Sequence, residues 1–177
     1  MIHIETQRLI LRNYRSTDVD DYYEYMCLES TARHEDFEPL TCDECERAVS
    51  DRVQNDSFWV VELKENGKVI GDVCHRNGEY DTYEIAYDFN IGYWKKGYAT
   101  EACRALIDHI FTMLNGRRLY VGVNEDNADS WRLLERLGFR REAHCIEDVA
   151  FKVDAEGNPI YVNSYFYAML RRDWKCS

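Results

Sequence analysis

The stretch Gly92-Tyr93-Trp94-Lys95-Lys96-Gly97-Tyr98-Ala99-Thr100-Glu101-Ala102 is where residue types and spacing could do chemistry. A strand-like pattern ends just before it, and a long amphipathic helix pattern begins inside it. A helix start offers unpaired N–H groups and partial positive charge. Gly97 lets the main chain come close to a ligand, and the small Ala99 keeps that approach open. Lys95 and Lys96 add positive charge to an otherwise acidic chain. Lys95, Lys96, Gly97, Tyr98, Ala99 and Thr100 are therefore a candidate phosphate site. An ordinary helix entry would have the same spacing.

The missing pieces narrow the ligand. Gly92 and Gly97 have the glycine spacing of a nucleotide P-loop, but Tyr98-Ala99 stands where the γ-phosphate and Mg²⁺ would need Lys-Ser/Thr. The G-x-G-x-x-G of a dinucleotide fold is absent. Main-chain donors without a metal-holding residue suit a pyrophosphate that needs no bound Mg²⁺, and coenzyme A carries one.

The surrounding elements must hold this loop. Arg8-Leu9-Ile10-Leu11-Arg12 reads as a first strand. Ser16 and Thr17 can cap a helix over residues 18–28, with Val19, Tyr22, Tyr23 and Met26 as its apolar stripe. Thr41-Cys42-Asp43-Glu44 has capping-box spacing and opens a second helix, to about residue 55. Strands over 58–63, 68–76 and 82–90 are separated by Glu65-Asn66-Gly67 and Asn77-Gly78, which predicts three consecutive antiparallel strands. Ala99, Ala102, Cys103, Leu106, Ile107, Ile110, Phe111 and Leu114 recur at helical spacing. A strand over 118–123, a helix over 126–137 and two strands over 140–151 and 161–170 complete the chain. The expectation is an α/β (α+β) single domain over 1–177, with a mixed, mostly antiparallel sheet of about seven strands flanked by about four helices.

Bulk properties exclude several function classes. The net charge of −11 disfavours binding to nucleic acid or an anionic membrane, both of which need a basic face. It would attract a cationic amine, although solubility alone explains an acidic chain. Seven cysteines, an odd number, with no secretory leader pattern at the N-terminus, point to free thiols in a reducing cytoplasm. Cys42-x-x-Cys45, with His34 nearby, lacks the further ligands of a zinc site, so no metal is expected. Cys74 beside His75 could suggest an acyl-cysteine pair, but adjacent strand residues point to opposite faces.

Several segments together carry a resemblance. They are Glu5-Thr6-Gln7-Arg8-Leu9-Ile10-Leu11-Arg12, Glu84-Ile85-Ala86-Tyr87, the run from Gly97 to Ala102, Asn124-Glu125-Asp126-Asn127-Ala128-Asp129-Ser130, and Leu133 through Glu142. The chain resembles the GNAT superfamily of acetyl-CoA-dependent N-acetyltransferases, and within it the RimJ/RimL-like branch. The resemblance spans nearly the whole chain and is weakest near residues 30–55 and 143–162. It implies the GNAT fold, acetyl-CoA as co-substrate, and an amine acceptor: a small-molecule amine or a peptide or protein N-terminus. Monomer and homodimer both stay open.

Residue by residue, the resemblance places Gly97 and Ala99 in the pyrophosphate loop, with Trp94 where the general pattern has Gln or Arg. Asp88, Phe89 and Asn90 match strand residues whose main chain pairs with the pantetheine arm, like an added strand. Asn127 matches an asparagine that hydrogen-bonds that arm, and it also suits a helix N-cap. Glu84 matches a strand glutamate that serves as general base in some members, with His75 in reserve. The tyrosine that commonly protonates the leaving thiolate is replaced by Leu134. Ser130 matches a serine placed near the sulfur. A non-catalytic module that binds CoA is the competing reading, and the loss of that tyrosine favours it.

Overall fold

The computed structural model describes residues 2–175; Met1, Cys176 and Ser177 lie outside the described residues. Strands β1 (His3–Glu5), β2 (Leu9–Asn13), β3 (Phe58–Leu63), β4 (Val69–Asn77), β5 (Thr82–Phe89), β6 (Arg118–Asn124), β7 (Arg140–Val153) and β8 (Pro159–Leu170) form one sheet. Their spatial order is β1-β2-β3-β4-β5-β6-β8-β7. Five helices surround it: α1 (Val19–Met26), α2 (Glu29–Ala32), α3 (Cys42–Val53), α4 (Tyr98–Thr112) and α5 (Ala128–Leu137). The sequence patterns yield about seven strands and four helices; the structure adds β1 and α2. Three and four residues respectively are too few to show a period.

Neighbouring strands run antiparallel except β5 and β6, which are parallel. A parallel step needs a long crossover, and α4 supplies it. Its apolar side, with Ala102, Cys103, Leu106, Ile107 and Ile110 fully buried, packs on the main core with Leu9, Leu11, Trp59, Val61 and Ile85. At roughly 25 cal/mol per Å² of apolar surface, this contact is a leading stabilising term.

A smaller core forms where α1 and α3 cover the sheet, around Tyr22, Tyr25, Met26, Cys45, Val49 and Val60. The buried Asp72 of β4 pins these helices. It accepts from Tyr14 Oη at 2.6 Å, Tyr25 Oη at 2.9 Å and the Arg52 guanidinium at 3.0 Å. Close by, Arg12 holds Asp18 in a bidentate pair at 2.8 and 2.9 Å and reaches Glu62 at 2.6 Å. Such buried pairs place elements more than they add net stability. Among the described residues no helix is long and apolar enough to cross a membrane.

Gly71 of β4 lies opposite Phe89. A Cβ there would come within 2.3 Å of the Asp88 carbonyl and 2.7 Å of the Phe89 ring. Since main chain cannot yield cheaply, Gly71→Ala is expected to destabilise the fold by about 2–3 kcal/mol, by analogy with overpacked cores. Urea unfolding monitored by tryptophan fluorescence checks this; an unchanged midpoint would contradict it.

Candidate active site

The site begins with a gap in the sheet. Gly78 N–H donates to Thr82 O at 2.8 Å and Asn90 N–H to Ile70 O at 2.9 Å. At both ends of the β4–β5 ladder, then, the even-numbered residues face β4. Antiparallel ladders alternate, so Tyr83, Ile85, Tyr87 and Phe89 turn their main-chain groups toward β6. Pairing with β6 covers only Thr82, Tyr83 and Glu84. Beyond that point the strands part, and Tyr87 and Phe89 present a main-chain edge to the opening. The Phe89 carbonyl is taken by the Trp94 indole N–H at 2.7 Å. This leaves the Phe89 N–H and both Tyr87 groups facing the gap.

This geometry corrects part of the expectation for the strand. Asp88 and Asn90 direct their main chain to β4, so of the three residues expected beside a pantetheine arm only Phe89 offers an edge. Asn90 is buried and fully engaged. Its carbonyl accepts from Tyr93 N–H at 2.9 Å, its Oδ1 from Gly92 N–H at 2.9 Å, and its Nδ2 donates to Glu24 at 2.9 Å. Asn90 shapes the entry to the loop.

The loop follows a 3-10 turn at Ile91–Tyr93. Lys95 has φ of 60° and Gly97 of 84°, both left-handed; the second suits a glycine. Tyr98, Ala99 and Thr100 form the first turn of α4, whose first intrahelical bond is Glu101 N–H to the Gly97 carbonyl. No side chain caps this helix, whereas Thr41 caps α3 and Asn127 caps α5. The donors of the first turn are therefore open to an anion. Lys95 is exposed, while Lys96 Nζ folds back to the Gly92 carbonyl at 2.9 Å, over the Tyr93 ring.

Arg8 holds the loop from behind. Its guanidinium reaches Glu101 at 2.7 Å and the Lys96 carbonyl at 2.9 Å, and lies over the Tyr98 ring at 4.3 Å. Glu101 also accepts from Arg8 N–H at 2.7 Å and Thr6 Oγ1 at 2.6 Å. These bonds keep its carboxyl below the ordinary range even though partial burial opposes them.

Across the gap, Asn127 Oδ1 accepts from Ser130 N–H at 3.2 Å, as an N-cap does. Its side-chain amide has no partner among the described residues and can serve a ligand. Ser130 Oγ lies 2.9 Å from Tyr87 Oη, so a hydroxyl pair spans β5 and α5. Burial drives the Tyr87 phenol pKa well up, so it stays protonated. Leu134 is wholly buried in the main core.

On the opposite face of the sheet, Asp88 stands directly across from Asp72. Asp72 has three donors; Asp88 has no hydrogen bond or ion pair among the described residues. It is half-buried and keeps some solvent contact. Burial, then the charges of Asp72 and Glu35, push its pKa well above the ordinary range. Burial and then the charge of Asp36 raise Glu35 to about 7. The segment bearing Glu35 is tied to the β7–β8 hairpin by Lys152, which reaches the Phe37 carbonyl at 3.1 Å and Glu38 at 2.6 Å.

Glu84 lies elsewhere. It occupies the paired end of β5, opposite Tyr120, with Arg76 at 3.4 Å. At about 3.3 Å per residue, its four-residue separation from Asp88 places it roughly 13 Å down the strand. His75 packs edge-on against Trp59 and Tyr83 in the main core, and burial lowers its pKa. Cys74 senses the charges of Asp72 and Asp88, so the two neighbours do face opposite sides. Cys45 is buried and Cys42 exposed on the first turn of α3. A surface groove of about 440 Å³ between β1 and α4, lined by Ile4, Thr6, Glu101, Ala105, His109 and Met113, lies behind the loop and includes none of Tyr87, Asp88, Asn127 and Ser130.

The parallel pair that parts after three residues thus has an uncapped helix start beside it. The acetyltransferase (GNAT) domain model matches residues 8–140. This chain is a member of the GNAT acetyltransferase family. The uncharacterized N-acetyltransferase p20 of Bacillus licheniformis is 31% identical over 96% of each chain. A GNAT-family acetyltransferase structure from Bacillus anthracis superposes with a TM-score of 0.89 at 25% identity, over 97% of this chain and 99% of that one. The same fold appears at 21% identity in spermidine N-acetyltransferase from Vibrio cholerae, solved with CoA and spermine. Its TM-score is 0.79, over 95% of this chain and 98% of that one.

Sequence reasoning did not single out three side chains that lie near this opening. Tyr87 entered only as part of a quoted motif, Asp88 only through its main chain, and Glu35 lies in a segment without periodicity.

Glu35 yields a pH prediction. Folded, it holds its proton up to about pH 7, against an ordinary value of 4.5. Between those limits the folded state binds more protons than the unfolded chain, so its stability contribution falls as pH rises and is gone above about 7. Glu35→Gln should flatten that slope and stabilise the protein at pH 8 by ~1–3 kcal/mol. Denaturant midpoints from pH 5 to 8 check it; parallel wild-type and variant curves would refute it.

Proposed function

We propose that this protein transfers the acetyl group of acetyl-CoA to a primary amine by direct attack in a ternary complex. The observation that carries the reading is the open main-chain edge at Tyr87 and Phe89, leading away from the uncapped start of α4. The N–H groups of Tyr98, Ala99 and Thr100, with Gly97 and the charge of Lys95 and Lys96, would receive the pyrophosphate. The pantetheine arm would lie along β5 as an added strand, with the Asn127 amide on its other side. The Phe89 N–H is aimed where a thioester oxygen would gain charge.

A primary amine is protonated at neutral pH and must lose a proton before it attacks. Asp88 is the base this geometry favours over Glu84. It lies beyond the point where β5 leaves β6 and has no hydrogen bond or ion pair among the described residues, so as a carboxylate it would be available to take the proton. Asp72 and Glu35 lie close enough to act on Asp88 electrostatically, and a cation brought among these carboxyls would favour their ionised forms, which supports an amine acceptor with more than one positive charge or a peptide N-terminus. The match to the RimJ/RimL-like branch rests on the sequence motifs quoted above. The rival reading, a CoA-binding module without turnover, has only the replacement of the usual tyrosine by Leu134 on its side, and the match to the acetyltransferase family does not favour it.

Calorimetry with CoA, followed by thiol release from acetyl-CoA over a panel of polyamines and peptides, tests the proposal. Binding with thiol release supports an enzyme, binding without it supports the rival, and no binding refutes both. In the enzyme case, Asp88→Asn should lower kcat by about 100-fold or more while CoA affinity holds. Glu84→Gln should change kcat by less than about threefold, because surface ion pairs of this kind contribute little.

A further inference from the structure

We infer that Tyr87 is the positioning residue that turns the Ser130 hydroxyl toward the leaving sulfur, filling the role left open by Leu134. This rests on the reading that acetyl-CoA lies along β5. Three observations converge. The two hydroxyls are 2.9 Å apart and bridge the strand and the helix that bound the gap. Leu134 is sealed in the core and offers no donor. An arm laid along β5 from Phe89 meets Tyr87 two residues on, about 7 Å down the strand, before the opening closes at Glu84.

Tyr87 Oη lies 2.9 Å from Ser130 Oγ and 3.5 Å from the Ser130 carbonyl, and either hydroxyl can donate in the shorter contact. The inferred arrangement has Tyr87 O–H donating to Ser130 Oγ. With that lone pair occupied, the Ser130 proton is free to point into the gap. As the tetrahedral intermediate collapses, the C–S bond breaks and its electron pair goes to sulfur. The Ser130 O–H then hydrogen-bonds the thiolate. No proton leaves either hydroxyl: CoA departs as a stabilised thiolate, and the proton that the amide nitrogen sheds to solvent balances the one the thiolate later takes from solvent. Such a bond to an ionised group is stronger than one between neutral groups.

The test reads the thiol of bound CoA and needs no acceptor. Thiolate absorbance near the far-ultraviolet edge is titrated for CoA bound to wild type, Tyr87→Phe and Ser130→Ala, each corrected with its desulfo-CoA complex. Expected is a bound-thiol pKa about one unit or more below that of free CoA in wild type, returning toward the free value in both variants. Equal desulfo-CoA affinity in all three shows that the cleft is intact. CoA binding with an unshifted thiol in wild type overturns this inference and leaves the proposed function standing. A shift lost in Ser130→Ala but kept in Tyr87→Phe overturns the role of Tyr87. Failure of wild type to bind CoA or desulfo-CoA overturns both readings.

Discussion

Unpaired main chain inside a protein is costly, and this fold depends on a place where it is left unpaired by design. Buried N–H and C=O groups are almost always satisfied. Here β5 meets β6 over three residues and then departs, so Tyr87 and Phe89 keep an edge without a strand partner. The Trp94 indole satisfies the Phe89 carbonyl. The remaining groups need water or a ligand that resembles a strand.

The elements around the gap divide between the two faces. On one, α4 and α5 bury the main core and bring an uncapped helix start and the Ser130 hydroxyl to opposite ends of the opening. On the other, Asp72 gathers Tyr14, Tyr25 and Arg52 and so anchors α1 and α3. The same arrangement leaves Asp88 across the ladder with a like charge beside it and no donor. Like charges directly opposite on a sheet are unfavourable. Arg8 links the faces at the loop end by joining β2 to the first turn of α4 through Glu101.

The sequence determined a good deal by itself. Period-two and period-3.6 patterns located all the longer elements, because each buries one face and repeats its apolar residues accordingly. Gly97 marked the start of α4, since a left-handed main chain at a helix start suits glycine. The capping roles of Thr41 and Asn127 were readable because an N-cap is a local interaction. The motifs also sufficed for the family.

Tertiary structure alone decided the rest. Whether Asp88 or Phe89 turns its main chain toward the gap is a matter of ladder phase, which two strands fix together and neither encodes alone. Which carboxylate is paired and which is free depended on Tyr14, Tyr25 and Arg52 arriving from three separate segments. The Tyr87–Ser130 contact joins residues 43 positions apart. Glu84 and Asp88 differ little as sequence, but the point at which β5 leaves β6 puts one in the closed sheet and the other beyond it. Local chemistry is written in the chain; the electrostatic environment of each group arises only when distant segments are packed against it.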